Sequence, residues 1–227
     1  MSDETFLFTV IMVDYDASVP REELRRAVAC FSRQSFQNFE LLIYHDGPKT
    51  TPYEEDLADM ALAQNIRFFA TDARENVWGH TNRDRGIRQA RGEWIIHTNA
   101  DNVFYDNALE TIADKINDTS PTLIAGKKVV TTKQIVIFPI ILVGVAAVKN
   151  STLRIRGDHA RDMSVLLSGI PVTHGNIDAM QFVMRRDLWL AEGGWSDTHR
   201  DSDGYLFEKL ARKYAIHGIL EVLGEHW

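Results

Sequence analysis

The sequence predicts an α/β protein built on a mostly parallel sheet with helices on both faces. Three observations carry this expectation. Near-continuous apolar runs, the mark of strands covered on both sides, recur through the first hundred residues. Segments with apolar residues at helical spacing separate them. Polar side chains gather just past the ends of the runs, at Asp14, Tyr15, Asp46, Asp72, Asn99 and Asp101, where sheets of this kind bind ligands.

In chain order, Phe6 to Val13 (FLFTVIMV) reads as the first strand. Pro20 with Glu22 and Glu23 opens a helix that carries Leu24, Val28 and Phe31 on one face. Phe39 to Tyr44 is a second strand, ended by Asp46-Gly47-Pro48. Leu57, Met60, Ala61 and Gln64 mark a second helix, and Ile66 to Ala70 a third strand. A short helix runs from Arg83 to Arg91 and closes at Gly92, with Trp94 to Thr98 as the fourth strand. Leu109, Ile112, Ala113 and Ile116 mark the next helix. The second half is less regular. Ile124 to Val130 and Ile135 to Val148 read as strands, with a hairpin as one arrangement, and Ile177 to Met184 as another strand. Asp203 to Tyr214 reads as a helix with Leu206, Phe207 and Leu210 inward. No repeat, low-complexity tract or linker divides residues 1–227, which are read as a single domain.

Twenty-five Lys and Arg against 32 Asp and Glu give a net charge of -7, which argues against nucleic acid as a partner. The single cysteine, Cys30, permits no internal disulfide and suits a reducing compartment. Asp3 and Glu4 precede the first apolar run where a secretory signal wants positive charge. The longest apolar stretch, Ile135 to Val148, is broken by Pro139 and Gly144 and is shorter than the roughly 20 residues of a spanning helix. A cytoplasmic location without a transmembrane segment is expected, with membrane-peripheral contact as the alternative.

The segment from Asn82 to Asn102 (NRDRGIRQARGEWIIHTNADN) holds most of the chemistry. An arginine-rich helix ends at a glycine, a strand follows, and the strand ends in oxygen-bearing side chains. Magnesium and manganese ions favour such oxygens and leave positions open for substrate phosphates. Asp101 is one such ligand, with Asn99 or Asn102 as a weaker one; a polar turn is the competing reading. With the flanking pieces TVIMVDYD, Gln34-Ser35-Phe36-Gln37-Asn38-Phe39-Glu40, His45-Asp46-Gly47-Pro48, Arg83-Asp84-Arg85-Gly86 and Asn99-Ala100-Asp101, the chain resembles the GT-A fold glycosyltransferases of the family 2 type. That family shows an apolar strand, a helix ending Gln-x-x-x-x-Phe-Glu, a strand ending Asp-Asp-Gly-Ser, an Arg-Asn-x-Gly helix start and a strand ending Asp-x-Asp. Residues 6 to about 105 carry the likeness most clearly.

The resemblance implies a GT-A sheet with residues 1–105 as the nucleotide-sugar-binding part and 106–227 as the acceptor and catalytic part. It implies a UDP- or GDP-sugar donor held by Val13, Tyr15, Asp46, Arg83, Asn99, Ala100 and Asp101, with Tyr15 stacking on the base and Asp46 accepting a base N–H. Arg83 matches the family arginine near the diphosphate. A manganese or magnesium ion is implied at Asp101, where Asn99 replaces a ligand carboxylate and His226 offers compensation. Gly193-Gly194-Trp195-Ser196-Asp197 resembles the family's Gly-Gly-Phe-Asp-Glu, and Ser202-Asp203 its Glu-Asp. Asp203 is the implied general base of an inverting transfer, with Asp201 in reserve and a helix cap as the competing role. Asp178 and Trp195 fall on the acceptor side, and the acceptor is a glycan, lipid-linked or small-molecule hydroxyl. Two rivals stay open: a nucleotidyltransferase, although no glycine- and lysine-rich loop follows the first strand, and a non-catalytic nucleotide-sugar-binding protein.

Overall fold

The computed structural model describes residues 5–124, 127–129, 132–144, 146–147 and 163–227. The expected strands at the start of the chain form as β1 (Phe6–Asp14), β2 (Phe39–His45), β3 (Ile66–Ala70) and β4 (Gly92–Asn99). Helices α1 (Arg21–Ser32) and α3 (His80–Gln89) lie between them, with the shorter α2 (Tyr53–Asp56). The expected helix around Leu57 to Gln64 does not form. The carbonyl oxygens of Glu55 and Asp56 accept hydrogen bonds from Arg21, and that of Asp56 also from Arg25 at 2.6 Å. Two cations from α1 thus consume the carbonyls that another turn would use.

After β5 (Val103–Phe104) and α4 (Ala108–Asn117), short strands follow: β6 (Thr122–Ile124), β7 (Lys127–Val129), β8 (Ile135–Ile137), β9 (Ile140–Val143), β10 (Ser164–Leu167) and β11 (Phe182–Arg185). Helices α5 (Arg186–Ala191) and α6 (Ser202–Lys213) and strands β12 (Ile216–Gly218) and β13 (Gly224–His226) close the described chain. The expected Ile124–Val130 strand is instead a β6–β7 hairpin; residues 125, 126 and 130 lie outside the described residues. The expected Ile135–Val148 strand splits at Pro139, which cannot donate to a ladder; residues 145 and 148 lie outside the described residues. The expected strand at Ile177 starts only at Phe182, because Asp178 and Gln181 form a capping box around a 3-10 turn at Ala179–Gln181.

The main sheet runs β12-β8-β11-β4-β1-β2-β3. Strands β4, β1, β2 and β3 are mutually parallel, β12 and β8 are parallel, and β11 runs antiparallel to both its neighbours. A second sheet has the order β10-β9-β13-β5. Register decides where the motifs go. Val13 lies beside Tyr44 on one side and Asn99 on the other, so three polar strand ends finish level. Helix α3 packs tightly on this edge: a Cβ on Gly86 would come within 2.7 Å of Ile11. No helix among the described residues is long and apolar enough to cross a membrane.

Two motif residues turn out to be joints of the fold. Gln34 donates to the carbonyls of Tyr105 and Cys30 and accepts from the Leu109 amide, which ties α1 to α4. Glu40, fully buried, accepts from Thr9 at 2.7 Å, from the Arg91 amide at 2.6 Å, and from the Arg91 and Arg67 guanidinium groups. Burial pushes its pKa up, but the Arg91 amide, Thr9 and the two arginines outweigh this and leave it lowered. Glu40→Ala would leave buried donors unmet and should cost about 3 kcal/mol, the low end for a broken buried pair because both arginines are partly solvated. A thermal melt should show Tm lower by roughly 6–12 °C, with nucleotide binding retained.

Candidate active site

The parallel register brings Val13, Asn99 and Ala100 together, and the Ala100 amide donates to the Val13 carbonyl at 3.0 Å. Val13 also packs under Gly79, whose added Cβ would meet it at 2.9 Å. Gly79 starts α3 with a left-handed backbone and delivers Arg83 into the interior, 3% exposed. Arg83 donates to the Trp78 carbonyl at 2.9 Å and to Asn99 Oδ1, and its guanidinium lies 5.3 Å from the Trp195 ring centroid. Asn76 and Trp78 in the preceding loop are left-handed non-glycine residues, at φ 55° and 57°. Strain of this kind gathers at functional sites.

The carboxylates around Arg83 come from distant segments. Burial lowers its pKa to about 10, and Asp203, Asp178 and Asp101, in that order, oppose the drop. Asp178 accepts from the Met180 amide through Oδ1 and pairs with His226 Nδ1 at 2.9 Å through Oδ2. Burial would raise the Asp178 pKa, but His226 and the Met180 amide hold it lowered. Burial would lower His226, but Asp178, then Asp101 and Asp203, raise it to about 9. Asp203 behaves oppositely to Asp178: burial first, then the Asp178 charge, raises it to about 6. Two neighbouring carboxyls thus have pKa values driven apart.

Asp203 is not the cap of α6. Asp201 holds that position, and Asp203, in the first turn of the helix, accepts from the Gly204 amide at 2.8 Å. Asp201 is engaged by Arg200 in an ion pair near the surface. Burial raises the Asp101 pKa and His226 lowers it, with the first effect larger. Asp101 Oδ1 is buried and accepts no hydrogen bond, while the Asp101 carbonyl accepts from Arg26 at 3.1 Å.

Tyr15 and Asp46 form a second group. The two Asp46 oxygens accept from the Glu75 and Asn76 amides at 2.8 and 3.1 Å, so this carboxylate also clamps the loop that carries Trp78. The Arg74 guanidinium lies 3.8 Å above the Tyr15 ring and 4.0 Å from Asp46. The two groups are joined through the 75–79 loop, because the Trp78 carbonyl holds Arg83. Arg74 and the Asp178–His226 pairing carry no motif of their own, and Ser202 enters the sequence only as the residue standing where the family has the glutamate of Glu-Asp.

Against this geometry, the family model for glycosyl transferase family 2 matches residues 9–176. The chain belongs to glycosyltransferase family 2. Two curated relatives, described as uncharacterised glycosyltransferases of Rickettsia conorii and Rickettsia felis, are 27% and 28% identical over 124 and 123 residues. These segments cover 54% and 53% of the chain and 19% of each relative, so the match takes in about a fifth of the relatives' length. Among solved structures, Staphylococcus aureus TarS residues 1–349 with UDP aligns at TM-score 0.68 and 14% identity, over 96% of this chain and 60% of TarS 1–349. The Pyrobaculum calidifontis mannosyltransferase PcManGT, solved with GDP-Man and Mn2+, aligns at TM-score 0.59 and 14% identity, over 98% of this chain and 57% of PcManGT. At these identities the likeness is one of fold: this family 2 chain has the GT-A architecture.

Whether the residues of this family 2 site suit a divalent ion turns on Asp101. Its unpaired buried oxygen is a vacant acceptor of the kind a hard cation satisfies. Asn99 Oδ1 is taken by Arg83, and His226 can ligate only as the neutral imidazole, not while Asp178 keeps it protonated. Among the described residues no group of three His, Cys, Asp or Glu side chains is placed to hold a metal. The fit is therefore to an ion with few protein ligands whose shell substrate phosphates complete, the usual magnesium pattern.

Proposed function

We propose that the chain transfers a sugar from a nucleoside-diphosphate donor to an acceptor hydroxyl with inversion at the anomeric carbon. The observation that carries this reading is the Asp203–Asp178 pair beside buried Arg83, with one carboxyl raised to about 6 and the other held ionised. Asp203 has the character of a general base near neutral pH. It takes the proton of the acceptor hydroxyl as that oxygen attacks the anomeric carbon. The bond to the diphosphate oxygen breaks, and its electron pair leaves with the nucleoside diphosphate, whose charge Arg83 faces. Trp195 and Asp178 border the acceptor side.

Asp101 is the residue that would hold manganese or magnesium, with substrate phosphates completing the shell; Asn99 and His226 would join it only on release from Arg83 and Asp178. Such an ion, when bound, supplies positive charge against the departing diphosphate. Tyr15 and Asp46 would receive the base, and Val13 and Ala100 would line the floor beneath the ribose and diphosphate. The UDP complex of TarS and the GDP-Man and Mn2+ complex of PcManGT support a uracil or guanine nucleotide as the donor's handle.

Thermal shift with UDP, GDP, ADP, CDP and dTDP, each with and without manganese, tests the reading. A true ligand at a hundredfold excess over its Kd stabilises the fold by about 2.7 kcal/mol. One diphosphate should stand out, and its sugar conjugate should be hydrolysed or transferred. Binding without turnover would instead favour a non-catalytic nucleotide-sugar-binding protein.

A further inference from the structure

Two departures from the family pattern meet in space. Trp195 stands where the family has phenylalanine, and Ser202 where it has glutamate. Trp195 is 2% exposed and Ser202 fully buried, and the indole Nε1–H donates to Ser202 Oγ at 2.9 Å. A buried indole N–H needs an acceptor, and a buried hydroxyl needs a partner. Ser202 sits immediately before Asp203, so this bond fixes the first turn of α6 that carries the proposed base.

The same tryptophan is anchored on its other sides. Its amide donates to Asp84 Oδ1 at 2.9 Å, which ties it to α3. Gly194 before it has φ +75°, and an added Cβ there would lie 2.1 Å from that Asp84 oxygen, so the turn admits only glycine. The indole stacks on His80 at 5.2 Å and lies beneath the Arg83 guanidinium. One side chain therefore touches the helix that carries the arginine, the arginine itself, and the residue next to the base.

We infer that Trp195 is a positioning residue, with Ser202 as its partner, that sets Asp203 against Arg83 for transfer. The inference rests on the glycosyl-transfer reading. Trp195→Phe keeps the ring and removes the N–H, and Ser202→Ala removes the acceptor. Displacement of a reacting group by about 1 Å can cost on the order of a hundredfold in rate, so each variant should lose roughly 10- to 100-fold in kcat. The double variant should be no worse than either single one, because both break one bond. Ser202→Thr keeps the hydroxyl and should stay near the wild-type rate. The KM for the donor should stay within about two-fold throughout, since the bond does not touch it.

The experiment measures kcat and KM for hydrolysis of the UDP- or GDP-sugar selected by thermal shift, with water as acceptor, beside the Tm of each variant. Lowered kcat at constant KM, with additivity broken and threonine rescue, supports the inference. Full kcat in Trp195→Phe and Ser202→Ala overturns it and leaves the transfer reading standing. So does a parallel loss of kcat and donor affinity, which assigns the bond to folding alone. A wild type that binds no diphosphate and releases no sugar overturns the transfer reading, and the inference falls with it.

Discussion

Asp203→Asn is expected to lower kcat by roughly a thousandfold, within the range that general bases contribute, while the affinity for nucleoside diphosphate holds. The amide keeps the size and the hydrogen bond from the Gly204 amide but cannot take a proton. The pH profile supplies a second reading of the same variant. As the proposed base, Asp203 would act only when deprotonated, and burial with the Asp178 charge holds its pKa at about 6. Wild-type activity should therefore rise with pH through about 6 and level off above it, and the residual activity of the asparagine variant should be flat across that window. Steady-state rates from pH 5 to 8 decide the matter. Turnover within a few-fold of wild type would remove Asp203 from the chemistry and turn attention to Asp201.

Arg83→Met should be comparably damaging, for two separable reasons. It removes the fixed positive charge proposed to face the departing diphosphate, a type of loss worth about 100- to 1,000-fold in rate. It also leaves Asp203, Asp178 and Asp101 without the guanidinium that opposes their mutual repulsion. Because Arg83 lowers the Asp203 pKa, its removal should move the ascending limb of the pH profile above 6. Arg83→Lys keeps charge but lacks the planar fork whose two nitrogens reach the Trp78 carbonyl and Asn99 Oδ1 separately. Only part of the rate should return. Rates at saturating donor, with binding followed separately, distinguish this from simple loss of affinity. A methionine variant with an unmoved limb and wild-type rate would place Arg83 among the supports of the fold.

The half of the molecule that was legible in the sequence is the half built by local rules. Phe6 to Val13, Phe39 to Tyr44 and Trp94 to Thr98 announce themselves by composition, and parallel pairing then brings Asn99 and Asp46 to one edge of the sheet. What was not legible depends on long-range partners. The helix expected at Leu57 stops short because Arg21 and Arg25, more than 30 residues away, take its carbonyls. Asp178 falls in an apolar run that reads as strand, yet its own side chain caps a turn there and reserves one oxygen for His226. That pairing exists only because β13 docks beside β9, a contact with no trace in either segment. Ser202 stands where the family pattern has glutamate. Its meaning lies in the indole of Trp195 across the turn.

The arginine over Tyr15 bears on how a ligand would enter. Arg74 is about half exposed and covers the ring face with a flat cation at 3.8 Å. With Tyr15 as the platform for the base, an incoming nucleotide competes against a tethered occupant rather than against water alone. An exposed contact of this type is worth about 0.5–1 kcal/mol, which would weaken base binding at Tyr15 by roughly two- to five-fold. On that reading, a nucleotide also held by its diphosphate would displace the Arg74 side chain more readily than a lone base would.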